Sequence, residues 1–290
     1  MSEQQATPFE APQEVSLSEH MKGNAVISDD GTRQNDLTAV QHRFGEVANA
    51  YVTSTVHASG ADLGWMVEAA APKGTEQVID VATGAGHTAL AFAPYVAEVI
   101  AVDVTLPMLE AAQQLATSRN MKNIRFLEGS AQSLPIAEES VDIVVCRFAA
   151  HHFLHLPEAI SEWARVLKPA GKLVLVDTVA PEEPELDTFL NEFELLRDTS
   201  HVRNHRVSEW LALLQAAGFA VEVHRTWDLP LDIPSWTKRM RTPSSSVNEI
   251  IQRFHDASPL TRERFHIETN SDDVFSFTLP VAMFVDIKPH

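Results

Sequence analysis

The sequence predicts an α/β protein built on a doubly wound, mostly parallel sheet. Short, continuous apolar runs alternate with segments of helical periodicity between about residues 78 and 177, and a glycine-rich turn follows the first apolar run. Strands that are apolar on both faces are typical of parallel sheets covered by helices on each side. The chain has 290 residues, 44% of them hydrophobic, so we expect one elaborated domain with one large core.

The predicted elements follow one another along the chain. Helices over 40–71 precede the first strand. Strands are expected at 78–82, 98–104, 124–127, 141–146 and 172–177, with helices at 87–95, 107–119 and 157–167. Helices at 185–197 and 208–217 come next, the second ended by Gly218, and the final strands are expected at 220–225 and 275–287.

The segments outside this alternation carry separate predictions. Residues 1–38 are acidic and lack a sustained apolar period, which is typical of a disordered tail. Residues 39–290 are expected to form the domain. Within it, residues 232–274 make a long connection with helices expected at 235–241 and 247–256. We expect this insertion to act as a lid or as a wall of a substrate pocket.

Charge and composition exclude several classes of partner. The net charge of −18 would repel a nucleic acid, and no basic cluster offsets it. No apolar run approaches the roughly 20 residues of a membrane span, and the start of the chain lacks a signal-peptide pattern, so a cytoplasmic protein without stable membrane association is expected. The single cysteine, Cys146, cannot form an internal disulfide. A small molecule is the expected partner, and a homodimer is compatible with these features.

The glycine-rich turn carries the main binding prediction. Residues 80–86 read Asp-Val-Ala-Thr-Gly-Ala-Gly. Gly84 and Gly86 allow a tight bend and a close approach to a ligand. The free N–H groups at the start of the next helix can donate to a carboxylate or to a phosphate. The glycines alone therefore fit either S-adenosylmethionine (SAM) or a dinucleotide.

Two acidic residues bear on this choice. Asp103 ends the second strand, where a carboxylate can accept both ribose hydroxyls of either cofactor. Asp80 lies just before the turn, where it would repel a pyrophosphate and attract the ammonium group of SAM. Asp80 with the two glycines favours SAM, and an NAD(P)-dependent oxidoreductase is the alternative.

Five motifs resemble, in order and spacing, those of class I SAM-dependent methyltransferases. They are residues 80–86, Asp103, Leu134-Pro135, Val141-Asp142-Ile143-Val144, and Arg-Val-Leu-Lys-Pro-Ala-Gly at 165–171. The chain most resembles the branch that holds the ubiquinone/menaquinone-biosynthesis C-methyltransferases and their uncharacterised relatives, from about Phe44 to Phe219. The resemblance implies a Rossmann-like sheet of seven strands with the last antiparallel. It also implies SAM-dependent methylation of a small molecule. The aromatic residues of the segment 232–274 favour an aromatic or lipophilic acceptor.

The resemblance further implies which residues hold the cofactor. Asp80 and the turn would hold the methionine end, Asp103 the ribose, and Ser130 and Ala131 the adenine. The full set is Asp80, Ala82, Thr83, Gly84, Gly86, Asp103, Val104, Met108, Ser130, Ala131 and Arg147.

Two of these positions depart from the family pattern. Ala82 replaces a glycine, which we expect to be tolerated if its φ is negative. Ser130 replaces an acidic residue, and its hydroxyl would accept the adenine amino group more weakly than a carboxylate.

Histidines after the fourth strand are candidate catalytic residues. His151, the preferred base, and His152 follow the carboxyl end of that strand, which borders the ligand crevice in such folds. Methyl transfer from a sulfonium depends mainly on positioning, and a base is needed only where the acceptor must lose a proton. Ordinary packing is the alternative role. No metal site is expected, because the histidine pairs lack a cysteine or a helical glutamate partner.

A polar segment at 197–205 supplies candidates for acceptor binding. His201 or Arg203 could hold an anionic or phenolic acceptor, and a solvated loop is the alternative. A protein that binds SAM without methylating, such as a cyclase or a regulatory scaffold, is a further alternative on this fold.

Several aromatic residues have two interpretations. Phe44 and Tyr51 could close over the cofactor, and Trp227, Trp236 and Phe254 could line an apolar acceptor pocket. Each could instead be an ordinary core residue.

Overall fold

The computed structural model describes residues 38, 40–45, 47, 58, 60–269 and 275–288. Its strands are β1 (Gln77–Val81), β2 (Glu98–Asp103), β3 (Ile124–Glu128), β4 (Val141–Arg147), β5 (Leu167–Thr178), β6 (Glu222–Asp232), β7 (Glu268–Thr269) and β8 (Phe275–Ile287). Its longer helices are α1 (Ala61–Ala70), α2 (His87–Phe92), α3 (Leu106–Ser118), α4 (Leu156–Val166), α5 (Pro184–Arg197), α6 (Val207–Ala216), α7 (Ile233–Arg239), α8 (Ser244–His255) and α9 (Pro259–Arg264). Short 3-10 turns lie at Ala93–Tyr95 and Ala150–His152, and the described residues between 38 and 47 are helical.

The strands form one mixed sheet in the order β3-β2-β1-β4-β5-β8-β6. Strands β1 to β5 pair in parallel, and β8 runs antiparallel to both of its neighbours, β5 and β6. The doubly wound sheet with an antiparallel last strand, implied by the resemblance, is therefore confirmed. The two-residue strand β7 pairs with β8 and adds an eighth strand that the sequence did not predict.

Alternate residues of the central strands pack on opposite faces of the sheet. Ile79 and Val81 belong to a core that contains Trp163 and Trp210, whereas Val78 belongs to a second core that contains Phe92. This follows from the two-residue period of a strand. Because both faces of β1 are covered, four of its five residues are buried, which explains its continuous apolar pattern.

A third core joins α5, α7 and α8 to β6 and β8. Phe193 lies at its centre, with ring centroids 5.7 Å from Trp236 and 5.3 Å from Phe254. Trp227, Trp236 and Phe254 are all absent from the wall of the large cavity described below. Trp236 and Phe254 are buried in this core, in agreement with the alternative of an ordinary core role. Trp227 packs against Trp65 at 5.3 Å. The lid role of 232–274 stays a prediction.

Two further findings concern the predicted N-terminal tail and membrane-spanning helices. The predicted tail at 1–38 lies outside the described residues except for Thr38, which is helical. None of the helices in the described ranges is long and apolar enough to cross a lipid bilayer.

The glycine-rich turn after β1 contains three left-handed residues. The φ angles of Ala82, Gly84 and Gly86 are +55°, +53° and +83°. At Gly86 an added Cβ would lie 2.8 Å from Cβ of Ala112, so glycine is required there for close packing as well as for its φ. Alanine in place of glycine at position 82 was expected to be tolerated if its φ were negative. The φ of Ala82 is positive, so this condition is not met. Ala82 therefore holds a backbone conformation that costs an alanine about 1–2 kcal/mol.

Replacing Ala82 by glycine should stabilise the protein. The strain is removed, while the larger entropy of glycine in the unfolded chain offsets part of the gain, so the free energy of unfolding should rise by about 0.5–1 kcal/mol. Urea unfolding measures this change. The matched control is Ala85→Gly in the same turn, where φ is not positive, and this variant should lose stability. A loss of similar size in both variants would contradict the assignment of strain to Ala82.

Candidate ligand-binding site

A cavity of about 820 Å³ opens at the carboxyl ends of the parallel strands. Ligand pockets of roughly 300–1,000 Å³ are typical of small-molecule enzymes, and this edge of a doubly wound sheet is where they form. Its walls come from residues Val40 and Phe44 of the N-terminal helix and from segments 82–85, 103–105, 129–133, 147–149, 152–155 and 199–202, with further single residues from the surrounding helices.

Asp103 ties the turn to the end of β2. Its Oδ2 accepts the N–H of Gly84 at 2.8 Å, and its Oδ1 accepts the N–H of Thr105 at 2.8 Å. Burial raises the pKa of the Asp103 carboxyl, and these N–H groups oppose the rise. The carboxylate lines the cavity and also accepts hydrogen bonds from the Thr105 hydroxyl and from the N–H of Val104.

Asp80 lies beneath the turn rather than on the cavity wall. Its Oδ2 accepts the Thr83 hydroxyl at 2.6 Å and the N–H of Ala89 at 3.0 Å. Burial, opposed in part by the hydrogen bonds from Thr83 and Ala89, raises the pKa of Asp80 to about 7. Asp80 thus shapes the turn directly and acts on the cavity through its charge.

Most of the predicted cofactor residues line this cavity. The residues that line the cavity are Ala82, Thr83, Gly84, Asp103, Val104, Met108, Ser130, Ala131 and Arg147. Gly86 lies behind the turn against α3, as Asp80 lies beneath it. Phe44 is on the opposite wall, whereas Tyr51 falls outside the described residues.

Ser130 and Arg147 both have protein partners at the wall. The Ser130 hydroxyl donates to Oε1 of Gln132 at 2.5 Å. Arg147 forms a buried ion pair with Asp62 of α1, and its guanidinium lies 4.8 Å from the centre of the Phe148 ring. The ion pair fixes α1 against the end of β4.

The two histidines after β4 differ in position. His152 lines the cavity, and its Nδ1 lies 3.0 Å from the Ser200 carbonyl oxygen, so Nδ1 carries the proton and Nε2 a lone pair. The ring of His151 packs 4.2 Å from that of His152 but faces a smaller pocket of about 60 Å³ near Glu194 and Arg197. The preferred base, His151, is therefore not on the wall of the main cavity.

The electrostatics of this pair push the two pKa values apart. Burial alone would lower the pKa of His151, but Asp177, whose Oδ1 lies 2.6 Å from Nδ1, outweighs it and the pKa is raised. Burial and the neighbouring His151 lower the pKa of His152 to about 4. His152 is therefore neutral near pH 7, and Asp198 lies 4.0 Å from its Nε2.

The two residues predicted to bind the acceptor, His201 and Arg203, differ in whether they reach the cavity. His201 lines the cavity. Arg203 does not, because its guanidinium pairs with Asp187 at 2.9 Å and with Glu209 at 3.2 Å on the far side of the loop. In the described part of the chain, no three histidine, cysteine or carboxylate side chains gather as metal ligands would.

The sequence reasoning missed the residues that orient these groups. Asp62 forms an ion pair with Arg147, and Asp177 lies beside Nδ1 of His151. Asn191 accepts from Nε2 of His201, and Asp198 lies 4.0 Å from His152. Asp177 ends β5, so its position at the ligand edge of the sheet was a usable signal. The other three lie on helices or in a loop, and nothing local in the sequence marks them.

Comparisons with known proteins agree with this geometry. A family model described as a methyltransferase domain matches residues 79–175. The methyltransferase YcgJ of Bacillus subtilis (strain 168) is 43% identical over 246 residues, which cover 84% of this chain and 97% of YcgJ. The crystal structure of YcgJ superposes with a TM-score of 0.76, covering 79% of this chain and 98% of that one.

Two further proteins extend the comparison. The crystal structure of the BH2331 protein of Bacillus halodurans C-125 has 36% identity and a TM-score of 0.77, covering 80% of this chain and all of that one (100%). The demethylmenaquinone methyltransferase of Deinococcus radiodurans is 37% identical over 158 residues, 52% of this chain and 65% of that enzyme. The similarity to YcgJ, which extends over nearly its whole length, and the fold together confirm the prediction made from the five motifs: the chain belongs to the class I SAM-dependent methyltransferases.

Proposed function

We propose that this enzyme moves a methyl group from SAM to a small, aromatic or lipophilic acceptor bound in the same cavity. The observation that carries the proposal is that one cavity is lined by two sets of residues, the glycine turn with Asp103 and the histidines His152 and His201. A cofactor and an acceptor can therefore meet without a large movement of the chain.

The first set, the glycine turn with Asp103, has the chemistry to bind SAM. Nothing lies within 4 Å of a Cβ added at Gly84, so the turn leaves open space for a ligand to approach its backbone. Asp103 is the ligand for the ribose hydroxyls, and the carboxylate of Asp80 favours the ammonium group of the methionine end. Ser130 and Ala131 would flank the adenine, with Met108 and Val104 as apolar contacts.

In the second set, His152 can accept a proton from the acceptor. SAM, when bound, would supply an electrophilic methyl group, whose bond to the sulfonium sulfur breaks as S-adenosylhomocysteine leaves. His152 is neutral, so its Nε2 can accept the proton that a hydroxyl or amine acceptor loses as its new bond to the methyl carbon forms. The resulting imidazolium would be stabilised by Asp198, 4.0 Å away. Asp177 raises the pKa of His151, so His151 binds a proton more readily than His152 does.

Replacing Asp103 by asparagine should weaken SAM binding. The variant loses a charged hydrogen-bond acceptor and gains an amide that cannot accept from both backbone N–H groups, so the dissociation constant should rise by about 10- to 100-fold. Isothermal titration calorimetry gives this value. The control is Asp142→Asn, which alters the acid paired with Lys168 near the amino end of β4 and should bind SAM normally. Equal affinity in wild type and Asp103→Asn would refute the ribose assignment.

SAM affinity should rise as pH increases from 6 to 8. Because burial raises the pKa of Asp80 to about 7, the group is mostly protonated below that pH, and a protonated carboxyl cannot attract the ammonium group. Affinity should then fall up to about tenfold for each pH unit below 7. Titrations at several pH values test this, with Asp80→Asn expected to show no such slope. The same slope in the variant would exclude Asp80 as its origin.

Replacing His152 by glutamine should slow methyl transfer without affecting SAM binding. Loss of a general base typically costs about 10²–10⁴ in rate. The assay follows labelled methyl groups from SAM into a panel of phenols, quinols, amines and a cell lysate. His224→Gln changes an exposed histidine on β6 and serves as the control. Unchanged turnover in His152→Gln would remove the base assignment. SAM binding with no acceptor methylated by the wild type would favour the non-methylating alternative.

A further inference from the structure

A tight turn after β3 forms the part of the cavity wall that is proposed to hold the adenine. Residues 129–133 line the cavity, and Gln132 among them is only partly buried. The N–H of Ser133 donates to the Ser130 carbonyl oxygen at 3.1 Å, which closes the turn with Ala131 and Gln132 at its tip. The side chain of Gln132 thus belongs to the same wall as Ser130.

The Ser130 hydroxyl makes two hydrogen bonds to Gln132. Its Oγ accepts the backbone N–H of Gln132 at 3.2 Å, and its hydrogen is donated to Oε1 of the same residue at 2.5 Å. A hydroxyl has one hydrogen and two lone pairs, so the turn itself uses the hydrogen and one lone pair of Ser130.

The shorter of these contacts fixes the orientation of the Gln132 amide. A separation of 2.5 Å is typical of an O–H···O hydrogen bond, whereas the heavy atoms of an N–H···O bond lie about 2.7–3.2 Å apart. Oε1 rather than Nε2 therefore faces the Ser130 hydroxyl. Beyond this bond, an amide oxygen has a second lone pair, and its nitrogen has two N–H donors.

An amide held in one orientation can distinguish adenine from hypoxanthine. Adenine presents its amino group, a donor, beside ring nitrogens that accept, and a glutamine side chain pairs with both kinds of group at once. In hypoxanthine a carbonyl oxygen replaces the amino group, and the neighbouring N1 carries hydrogen. Acceptor would then face acceptor and donor would face donor, which penalises binding.

We infer that Gln132 is a specificity-determining residue that reads the adenine of SAM, and that Ser130 is the positioning residue that fixes the Gln132 amide. The pair replaces the acidic residue that the family usually has at position 130. The inference rests on the proposed function, because it assumes that SAM occupies this cavity. It deepens that proposal by moving the principal adenine contact from Ser130 to the side chain two residues on.

Glu158 supplies the matched control. It lies in the first turn of α4, lines the same cavity and carries a carboxylate that also accepts hydrogen bonds. Its side chain is exposed to solvent, and water weakens the polar contacts of an exposed group. We therefore expect Glu158 to contribute little to the choice of base.

The test measures the affinities of S-adenosylhomocysteine and S-inosylhomocysteine, which differ only at the purine edge, by calorimetric titration of the full chain. The wild type should bind the adenine compound about tenfold more tightly. In Gln132→Met, which keeps the size but removes the polar atoms, this preference should fall to about twofold. In Gln132→Glu it should rise about tenfold further, because a carboxylate repels the hypoxanthine carbonyl oxygen. A misfolded variant would not show such a gain.

The role of Ser130 is read from the same ratio of affinities. In Ser130→Ala the amide is released and can rotate to suit either base. The preference should therefore fall as in Gln132→Met, while the adenine compound binds no more than about threefold more weakly. Ser130→Thr keeps the hydroxyl and should keep the preference. A purely structural role of Ser130 would instead weaken both compounds equally.

The possible outcomes separate the inference from the proposed function. Equal binding of the two compounds by the wild type, a tenfold preference that survives in Gln132→Met, or its loss in Glu158→Gln would overturn the role of Gln132. An unchanged preference in Ser130→Ala would overturn the role of Ser130. Each of these results leaves the cofactor site standing, whereas failure of the wild type to bind either compound would count against the proposed function itself.

Discussion

The carboxylate of Asp103 is the constraint on which the site depends. It accepts N–H groups from Gly84 and from Thr105 and so joins the turn after β1 to the start of α3. Parallel strands β1 and β2 bring these segments side by side at their carboxyl ends. Without an acceptor there, two buried N–H groups would lose their partners and the turn would lose the contact that holds it over β2.

Several charged residues near the cavity are paired with one another behind its wall. Asp187 accepts from Arg203, Arg206 and Asn191, and Asp177 accepts from His151. Pairing buried charges limits their desolvation cost. His152 and His201 line the cavity, and burial lowers the pKa of both, so these two imidazoles are neutral.

The aromatic core around Phe193 explains how a long insertion belongs to the same folded unit. Residues from α5, α7, α8 and β8 meet there with ring centroids less than 6 Å apart, for example Phe193 with Trp236 and with Phe277. Large rings bury much apolar area for each residue that is ordered. The same helix α5 carries Phe193 inward and Asn191 toward His201, so packing of the insertion and orientation of the site share one element.

The sequence alone determined the parallel sheet, the glycine turn and the positions of Asp103 and Gly84 at the ligand edge of the sheet, because strand periodicity, glycine geometry and strand-end positions are local properties. It predicted the two histidines after β4 but preferred His151 as the base, whereas His152 is the one that lines the cavity. Only the tertiary structure decided that Ala82 is left-handed, that His152 faces the cavity while His151 turns to Asp177, and that Arg203 is engaged elsewhere. Those outcomes depend on partners far away in the chain, such as Ser200 for His152, 48 residues on, and Asp62 for Arg147, 85 residues back. No local pattern encodes which distant group a side chain will meet.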